Sequence, residues 1–223
     1  MDNRQIKDIL YEQVARIGKA VSSPKRLELL EILSQNEKTV ETLAADANID
    51  IRLASAHLKA LKAARLVQNR REGKYIIYRL SSDDISHLWV TLRTVAEAHL
   101  IELSSALARM FSEPERLTAE SRAALIDLVR EGDVVLIDVR PESEYQTRHL
   151  PYARSIPLHE LEQRLAELPS DKEIIAYCRG PFCLWAEEAK KLLALRGYRV
   201  SKIADGVPEW LAAGLPVESA IKV

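Results

Sequence analysis

Two cysteines, Cys178 and Cys183, are the residues whose type and spacing point most directly to chemistry in this 223-residue chain. Cys178 follows the run 173–177, which is typical of a buried strand, and a helical pattern begins at Leu184. A thiol between a strand end and a helix N-terminus faces backbone N–H groups and the positive end of the helix dipole. This environment lowers the thiol pKa and produces a nucleophilic thiolate. A lone thiol at a strand end is also often a buried, unreactive cysteine, so position alone leaves both interpretations open.

The loop between the two cysteines is predicted to bind an anion. Backbone N–H groups ahead of a helix can surround a negatively charged ligand, and Arg179 adds one positive charge to the loop. We expect Arg179, Gly180 and Phe182 to be the contacting residues.

The elements around this loop alternate between strand and helix. The run Val134–Val139 predicts a buried strand, and Val200–Ile203 predicts a further strand after a helix that ends near Gly197. Strands that alternate with helices are typical of a parallel α/β sheet, in which ligands bind beyond the carboxyl ends of the strands.

Residues 118–223 resemble a single rhodanese domain, the sulfurtransferase fold. The resemblance covers nearly all of this half and rests on the segments Leu136–Arg140, Glu144–Tyr145, His149–Ala153, Ile156–Pro157, Tyr177–Gly180, Gly206–Trp210 and Ala213–Val217. It implies that Cys178 is the nucleophile that carries a persulfide, taking sulfane sulfur from a donor and passing it to an acceptor thiol.

Cys183 departs from the rhodanese pattern. Members that use thiosulfate usually carry Arg or Lys five residues after the cysteine, so efficient turnover of thiosulfate is in doubt. A second thiol can instead attack a persulfide on Cys178, release sulfide and leave a disulfide, or share a bridging polysulfide. Bridging requires Cα atoms within about 7 Å. Simple packing of Cys183 in the loop is the other interpretation.

The first half of the chain is predicted to be helical and to end in a hairpin. Helices are expected over 6–21, from Pro24 to about Leu33, over 40–46, and from Asp50 to about Ala64, with Ser23, Thr39 and Asp50 as caps. Two β-rich runs within 66–80 flank a charged turn that contains glycine, which is a hairpin signature.

The helix that begins at Asp50 has two different faces. Ala54, Leu58 and Leu61 form an apolar stripe. The other face is small and basic, as a helix that enters the DNA major groove requires. With the hairpin tip, which can contact phosphates, the predicted DNA-binding residues are Arg52, Ser55, Ala56, Lys59, Arg70, Arg71 and Lys74.

Residues 6–111 resemble the ArsR/SmtB family of winged-helix repressors. The resemblance covers essentially this whole half and rests on Ser23–Leu30, Thr39–Ala44, Ser55–Leu61, Arg70–Lys74 and Tyr78–Leu80. It implies a homodimer, paired through its N- and C-terminal helices, that binds operator DNA and releases it in response to an inducer.

Metal sensing, which is common in that family, is poorly supported by the residues. The first helix of the helix-turn-helix contains no cysteine. Asp84, His87, His99 and Glu102 lie on a helix predicted from about Ser82 to Phe111, and His99 and Glu102 have a plausible spacing for one metal face. The spacing of Asp84 and His87, however, is one residue longer than in the pattern of that family, which rotates His87 about 100° away from the shared face. We expect neither a metal nor a cofactor, with these four residues as weak candidates.

Charge and composition divide the chain in the same place as the patterns. Residues 1–111 hold 17 Lys and Arg against 14 Asp and Glu, whereas residues 112–223 hold 15 against 19. The overall net charge of −1 therefore combines a half with +3, suited to a polyanion, with a half of −4. The chain shows no apolar leader, membrane-spanning run or disulfide framework, so we expect a cytoplasmic protein without a membrane partner.

The sequence therefore predicts two domains: a mainly α winged helix-turn-helix over 1–111 and an α/β rhodanese-like domain with a parallel sheet over 118–223, joined by a linker at 112–117. The predicted function is a dimeric transcriptional regulator, a repressor by resemblance, that senses reactive sulfur through Cys178, in one interpretation together with Cys183. A small sulfur donor or anion is the expected partner of the Cys178 loop. One alternative is an active sulfurtransferase with a DNA-binding domain for targeting. Another is a metal- or oxyanion-responsive repressor whose rhodanese fold is not catalytic.

Overall fold

Ten α-helices and seven strands occur in the computed structural model, which describes residues 2–110 and 119–220. The described residues form two compact units, which divide between Trp89 and Val90. The predicted linker, 112–117, lies outside the described residues, so the domain limits remain a prediction. No helix in the described ranges is both long and apolar enough to cross a membrane.

The first unit contains four complete helices, three of which begin directly after a predicted cap, Ser23, Thr39 or Asp50, although the Ser23 side chain makes no capping hydrogen bond. The first helix begins three residues earlier than predicted. The four helices are α1 (Asn3–Val21), α2 (Pro24–Leu33), α3 (Val40–Asp46) and α4 (Ile51–Ala63). The Thr39 hydroxyl accepts a hydrogen bond from the Thr42 N–H at 3.2 Å, and the Asp50 carboxylate accepts one from the Arg52 N–H at 2.7 Å. Between α3 and α4, Asn48 has a φ of 48°, the left-handed conformation that a tight turn requires.

The predicted hairpin forms a wing on this unit. Strands β1 (Lys38–Thr39), β2 (Val67–Glu72) and β3 (Tyr75–Leu80) make an antiparallel sheet in the order β1-β3-β2. Glu72 pairs with Tyr75, so Gly73 and Lys74 alone form the turn, and Gly73 adopts the φ of +58° that glycine tolerates best.

The apolar stripe of α4 holds the first unit together. Ala54, Leu58 and Leu61 are completely buried and pack in one cluster with side chains of the other helices and of the wing. Their burial turns the opposite, polar face of α4 outward.

The helix predicted from Ser82 to Phe111 is wrong as a single element. The structure has α5 (Asp83–His99) and α6 (Ile101–Met110), with Leu100 outside both helices. No glycine or proline marks this break in the sequence. Phe111 lies outside the described residues.

The second unit contains the predicted parallel sheet. Strands β4 (Val134–Asp138), β5 (Arg154–Ser155), β6 (Glu173–Tyr177) and β7 (Val200–Lys202) are all parallel, in the order β5-β4-β6-β7. The helices are α7 (Ala119–Glu131), α8 (Glu142–Thr147), α9 (Trp185–Leu195) and α10 (Val207–Ala212), and a short 3-10 turn covers Leu165–Glu167. Side chains of β4 and β6 enter two separate apolar clusters, because alternate residues of a strand point to opposite faces. The fold class is thus confirmed.

Candidate functional site

Cys178 lies at the carboxyl end of β6, where the sequence predicts it. Its Cα is 6.2 Å from that of Cys183, and a disulfide joins the two residues. Cys178 is only 2% exposed, whereas Cys183 is partly exposed. The spacing that bridging requires is met, and the sulfur of Cys183 belongs to the more accessible residue of the pair.

Close backbone packing fixes the beginning of the cysteine loop. A Cβ atom at Gly206, just before α10, would lie 2.6 Å from the carbonyl oxygens of both Cys178 and Arg179. At the other end, the Cys183 N–H donates to the Gly180 carbonyl at 3.0 Å, so this N–H is already used within the loop. Glycine is therefore required at position 206 by the approach of two chain segments.

Arg179, a predicted anion contact, is held by a carboxylate of α8. Its Nε lies 3.0 Å and its Nη2 2.5 Å from the two carboxylate oxygens of Glu144, and the guanidinium stacks over the Trp185 ring at 4.5 Å. Glu144 is completely buried. Glu144 thus neutralises the positive charge of Arg179, which the sequence predicts to bind an anion. The roles of Arg179, Gly180 and Phe182 in anion binding remain predictions.

A buried polar network, which the sequence interpretation missed, connects the ends of β4 and β6. Asp138, Arg140 and Tyr177 are completely buried. The Arg140 Nη2 lies 2.5 Å from Asp138 Oδ2, and the Tyr177 hydroxyl donates to the same oxygen at 2.6 Å. Burial, followed by the charge of Asp138, raises the pKa of Tyr177 well above its ordinary value, so its hydroxyl keeps the proton that it donates.

Because Tyr177 immediately precedes Cys178, this network positions the strand end that carries the thiol. The sequence identified the segments that contain these residues by their resemblance to rhodanese domains, but it did not predict the network. A charged pair two residues apart at the end of an apolar run was the available signal.

The predicted DNA-contacting residues of α4 share one side of the helix. Arg52, Ser55, Ala56 and Lys59 have the spacing of a single helix face, and all are exposed except Ser55, which is partly buried. An exposed face with small and basic side chains is compatible with entry into a major groove.

The predicted residues of the wing are in different situations. Arg71 and Lys74 are exposed near the turn. Arg70 lies farther from it and forms an ion pair with Glu37. The hydrogen bond from Arg70 lowers the pKa of Glu37, so this carboxylate remains ionised and competes with a phosphate for Arg70.

The weak metal candidates are not brought together. His99 ends α5 and Glu102 belongs to α6, so the two residues do not lie on the one continuous helix that the sequence predicted. Over residues 2–110 and 119–220, no group of three or more His, Cys, Asp or Glu side chains is arranged to hold a metal ion.

Comparisons with known proteins match both halves of the chain. The family model for bacterial regulatory proteins of the arsR family matches residues 23–69, and the model for rhodanese-like domains matches residues 121–213. HTH-type transcriptional regulator Rv0324 of Mycobacterium tuberculosis is 42% identical over 217 residues, which cover 97% of this chain and 95% of that protein.

Two further relatives each match one half. A protein named sulfurtransferase from Allochromatium vinosum is 33% identical over 86 residues, which cover 38% of this chain and 78% of that protein. A solved structure of the homodimeric winged helix-turn-helix DNA-binding domain of Mb0332 from Mycobacterium bovis is 39% identical, with a TM-score of 0.42, and covers 46% of this chain and 93% of that one. The family matches confirm both resemblances that the sequence predicted.

Proposed function

We propose that this chain, which belongs to the ArsR family of transcriptional regulators and carries a rhodanese-like domain, binds operator DNA as a homodimer and responds to reactive sulfur through Cys178. The observation that carries the proposal is the pairing of Cys178 with Cys183 at the carboxyl end of β6. In the cytoplasm, where we place the protein, both thiols would be reduced until a sulfur donor arrives.

The proposed reaction has two balanced steps. The Cys178 thiolate attacks the sulfane sulfur of a hydropersulfide, so that a persulfide forms on Cys178 and the donor leaves as a thiolate. The Cys183 thiolate then attacks Cys178 Sγ, forms the Cys178–Cys183 disulfide and expels hydrosulfide. The two cysteines together lose two electrons, and the sulfane sulfur gains them. The Cα separation of 6.2 Å supports the second step.

Operator release should depend on Cys178. We expect a hydropersulfide donor to lower the operator affinity of the wild type by about 5- to 150-fold, the usual range of allosteric coupling. Cys178→Ser should bind the operator normally without donor and keep that affinity with it. The measurement is a mobility shift on the upstream DNA of the protein's own gene.

Cys183→Ser is the matched variant, because it can form the persulfide but not the disulfide. If the donor also caused the Cys178→Ser variant to release the operator, the result would contradict the proposal. The similarity to a sulfurtransferase supports the alternative of an enzyme, and robust Cys178-dependent turnover of thiosulfate and cyanide would favour that alternative instead.

DNA contact should be stronger at Lys59 than at Arg70. Lys59→Ala is expected to weaken binding to all DNA sequences and to reduce the slope of log affinity against log salt by about 1. Arg70→Ala should produce a smaller change, because Glu37 already neutralises Arg70. Binding isotherms over a salt series measure both slopes, and an unchanged slope for Lys59→Ala would argue against α4 as the contacting helix.

A further inference from the structure

Arg93, on the part of α5 that belongs to the second unit, is a buried cation between two carboxylates. It is only 4% exposed. Its Nη2 lies 2.8 Å from Glu209 Oε1, and its Nε lies 3.3 Å from Glu97 Oε1. Burial raises the pKa of Glu209, while the charge of Arg93 opposes that rise. Arg93 therefore connects α5 to α10 through an ion pair that has little access to water.

The same guanidinium contacts the loop between the two cysteines. Its Cζ lies 5.7 Å from the centre of the Phe182 ring, within the range of a cation–π contact. A Cβ atom at Gly180 would lie 3.4 Å from Arg93 Nη1 and 3.2 Å from Glu209 Oε2. Two of the four residues between Cys178 and Cys183 thus pack directly against the Arg93–Glu209 pair.

A change in the path of the loop would alter its contacts with this pair. The Cys178–Cys183 disulfide holds the loop ends together. When a dithiol reduces it, the reductant becomes a disulfide, and the two cysteine sulfurs gain two electrons and two protons and must separate to van der Waals distance. Phe182 and Gly180 lie inside the segment that adjusts. Arg93, Pro181 and Glu209 border a cavity of about 330 Å³, which leaves the side chains of Arg93 and Glu209 room to move.

We propose that Arg93 is a positioning residue that couples the state of the Cys178–Cys183 loop to α5. This proposal rests on the proposed function and deepens it. It identifies Arg93 as the contact through which a reaction at Cys178 and Cys183 affects α5. α5 also carries residues of the first unit, where Ile85 belongs to the apolar core. A change at Arg93 therefore acts on a helix that is covalently continuous with the DNA-binding unit.

Hydrogen–deuterium exchange on the full chain tests the coupling without DNA. The disulfide form is compared with the form reduced by dithiothreitol, and the readout is the exchange of the amides of residues 90–99. In the wild type, we expect reduction to increase exchange in this segment. Phe182→Leu, which removes the ring but leaves both cysteines and the ion pair, should lose most of that difference.

A second variant removes the ion pair without leaving an unpaired buried charge. In Arg93→Met combined with Glu97→Gln and Glu209→Gln, none of the three charges remains, and the glutamine oxygen at position 209 can still accept the Gly206 N–H, which now donates to Glu209 at 2.7 Å. This variant should also lose the difference in exchange. Lys202→Met combined with Glu187→Gln is the matched control, because it neutralises another buried ion pair of the same unit, and it should keep the wild-type difference.

The outcomes separate this proposal from the proposed function. If reduction leaves the exchange of residues 90–99 unchanged in the wild type, or if both variants keep the wild-type difference, Arg93 does not couple the loop to α5. Even with those results, the proposed function would remain intact if a hydropersulfide caused the protein to release the operator and this release required Cys178. Loss of the difference in both variants, but not in the Lys202→Met and Glu187→Gln control, supports the coupling even if the donor has no effect on DNA binding.

Discussion

Replacing Arg140 with alanine is expected to lower the free energy of unfolding of the second unit by about 3–5 kcal/mol. Arg140 and Asp138 are both completely buried, and the guanidinium binds both carboxylate oxygens. Removing the Arg140 side chain leaves the Asp138 carboxylate in the interior without its counterion, with the Tyr177 hydroxyl and the backbone N–H of residue 140 as hydrogen-bond donors. A buried charge without its counterion is much less stable there than in water, which is the source of the large effect.

Urea unfolding followed by tryptophan fluorescence measures this effect, because Trp185 and Trp210 both lie in the second unit. The matched control is Arg130→Ala, which removes an ion pair whose two side chains are each 55% exposed. It should change stability by less than about 1 kcal/mol.

The double variant Asp138→Asn with Arg140→Met tests the cause. With both charges gone, it should recover much of the stability that Arg140→Ala loses. Equal losses in the single and double variants would show that packing of the arginine, rather than its charge, stabilises the strand ends.

Local signals explain why much of the first unit could be predicted from the sequence. Thr39 and Asp50 cap helices through hydrogen bonds to residues two or three positions away, and Asn48 takes the left-handed turn conformation within the same short segment. Ala54, Leu58 and Leu61 recur with the period of a helix. This period identifies the buried face of α4 even when the residues that pack against it are unknown.

The charged contacts of the site could not be predicted, because they join residues that are distant in the sequence. Arg179 binds Glu144, 35 positions away, and Arg70 binds Glu37, 33 positions away. Sequence composition identified both arginines as available positive charges, whereas the fold brings a carboxylate to each. Bridging of Cys178 and Cys183 likewise depends on the path of the loop, which the four residues between them do not determine.

Gly206→Ala is expected to destabilise the second unit by about 3 kcal/mol, at the upper end of the range for overpacking. The added Cβ would lie 2.6 Å from two backbone carbonyl oxygens, those of Cys178 and Arg179, so a side-chain rotation cannot relieve the contact. The backbone of the cysteine loop must move instead. The same displacement should slow formation of the Cys178–Cys183 disulfide after a hydropersulfide is added.

Urea unfolding measures the first effect, and the rate of thiol loss after addition of a donor measures the second. Gly18→Ala is the control, because Gly18 lies in α1 and the added Cβ would meet no atom within 4 Å apart from the neighbouring backbone of its own helix. It should be neutral or should stabilise the protein by up to about 1 kcal/mol, since alanine favours a helix. A Gly206→Ala protein with wild-type stability and wild-type disulfide formation would show that the close approach of these two segments does not hold the cysteine loop in place.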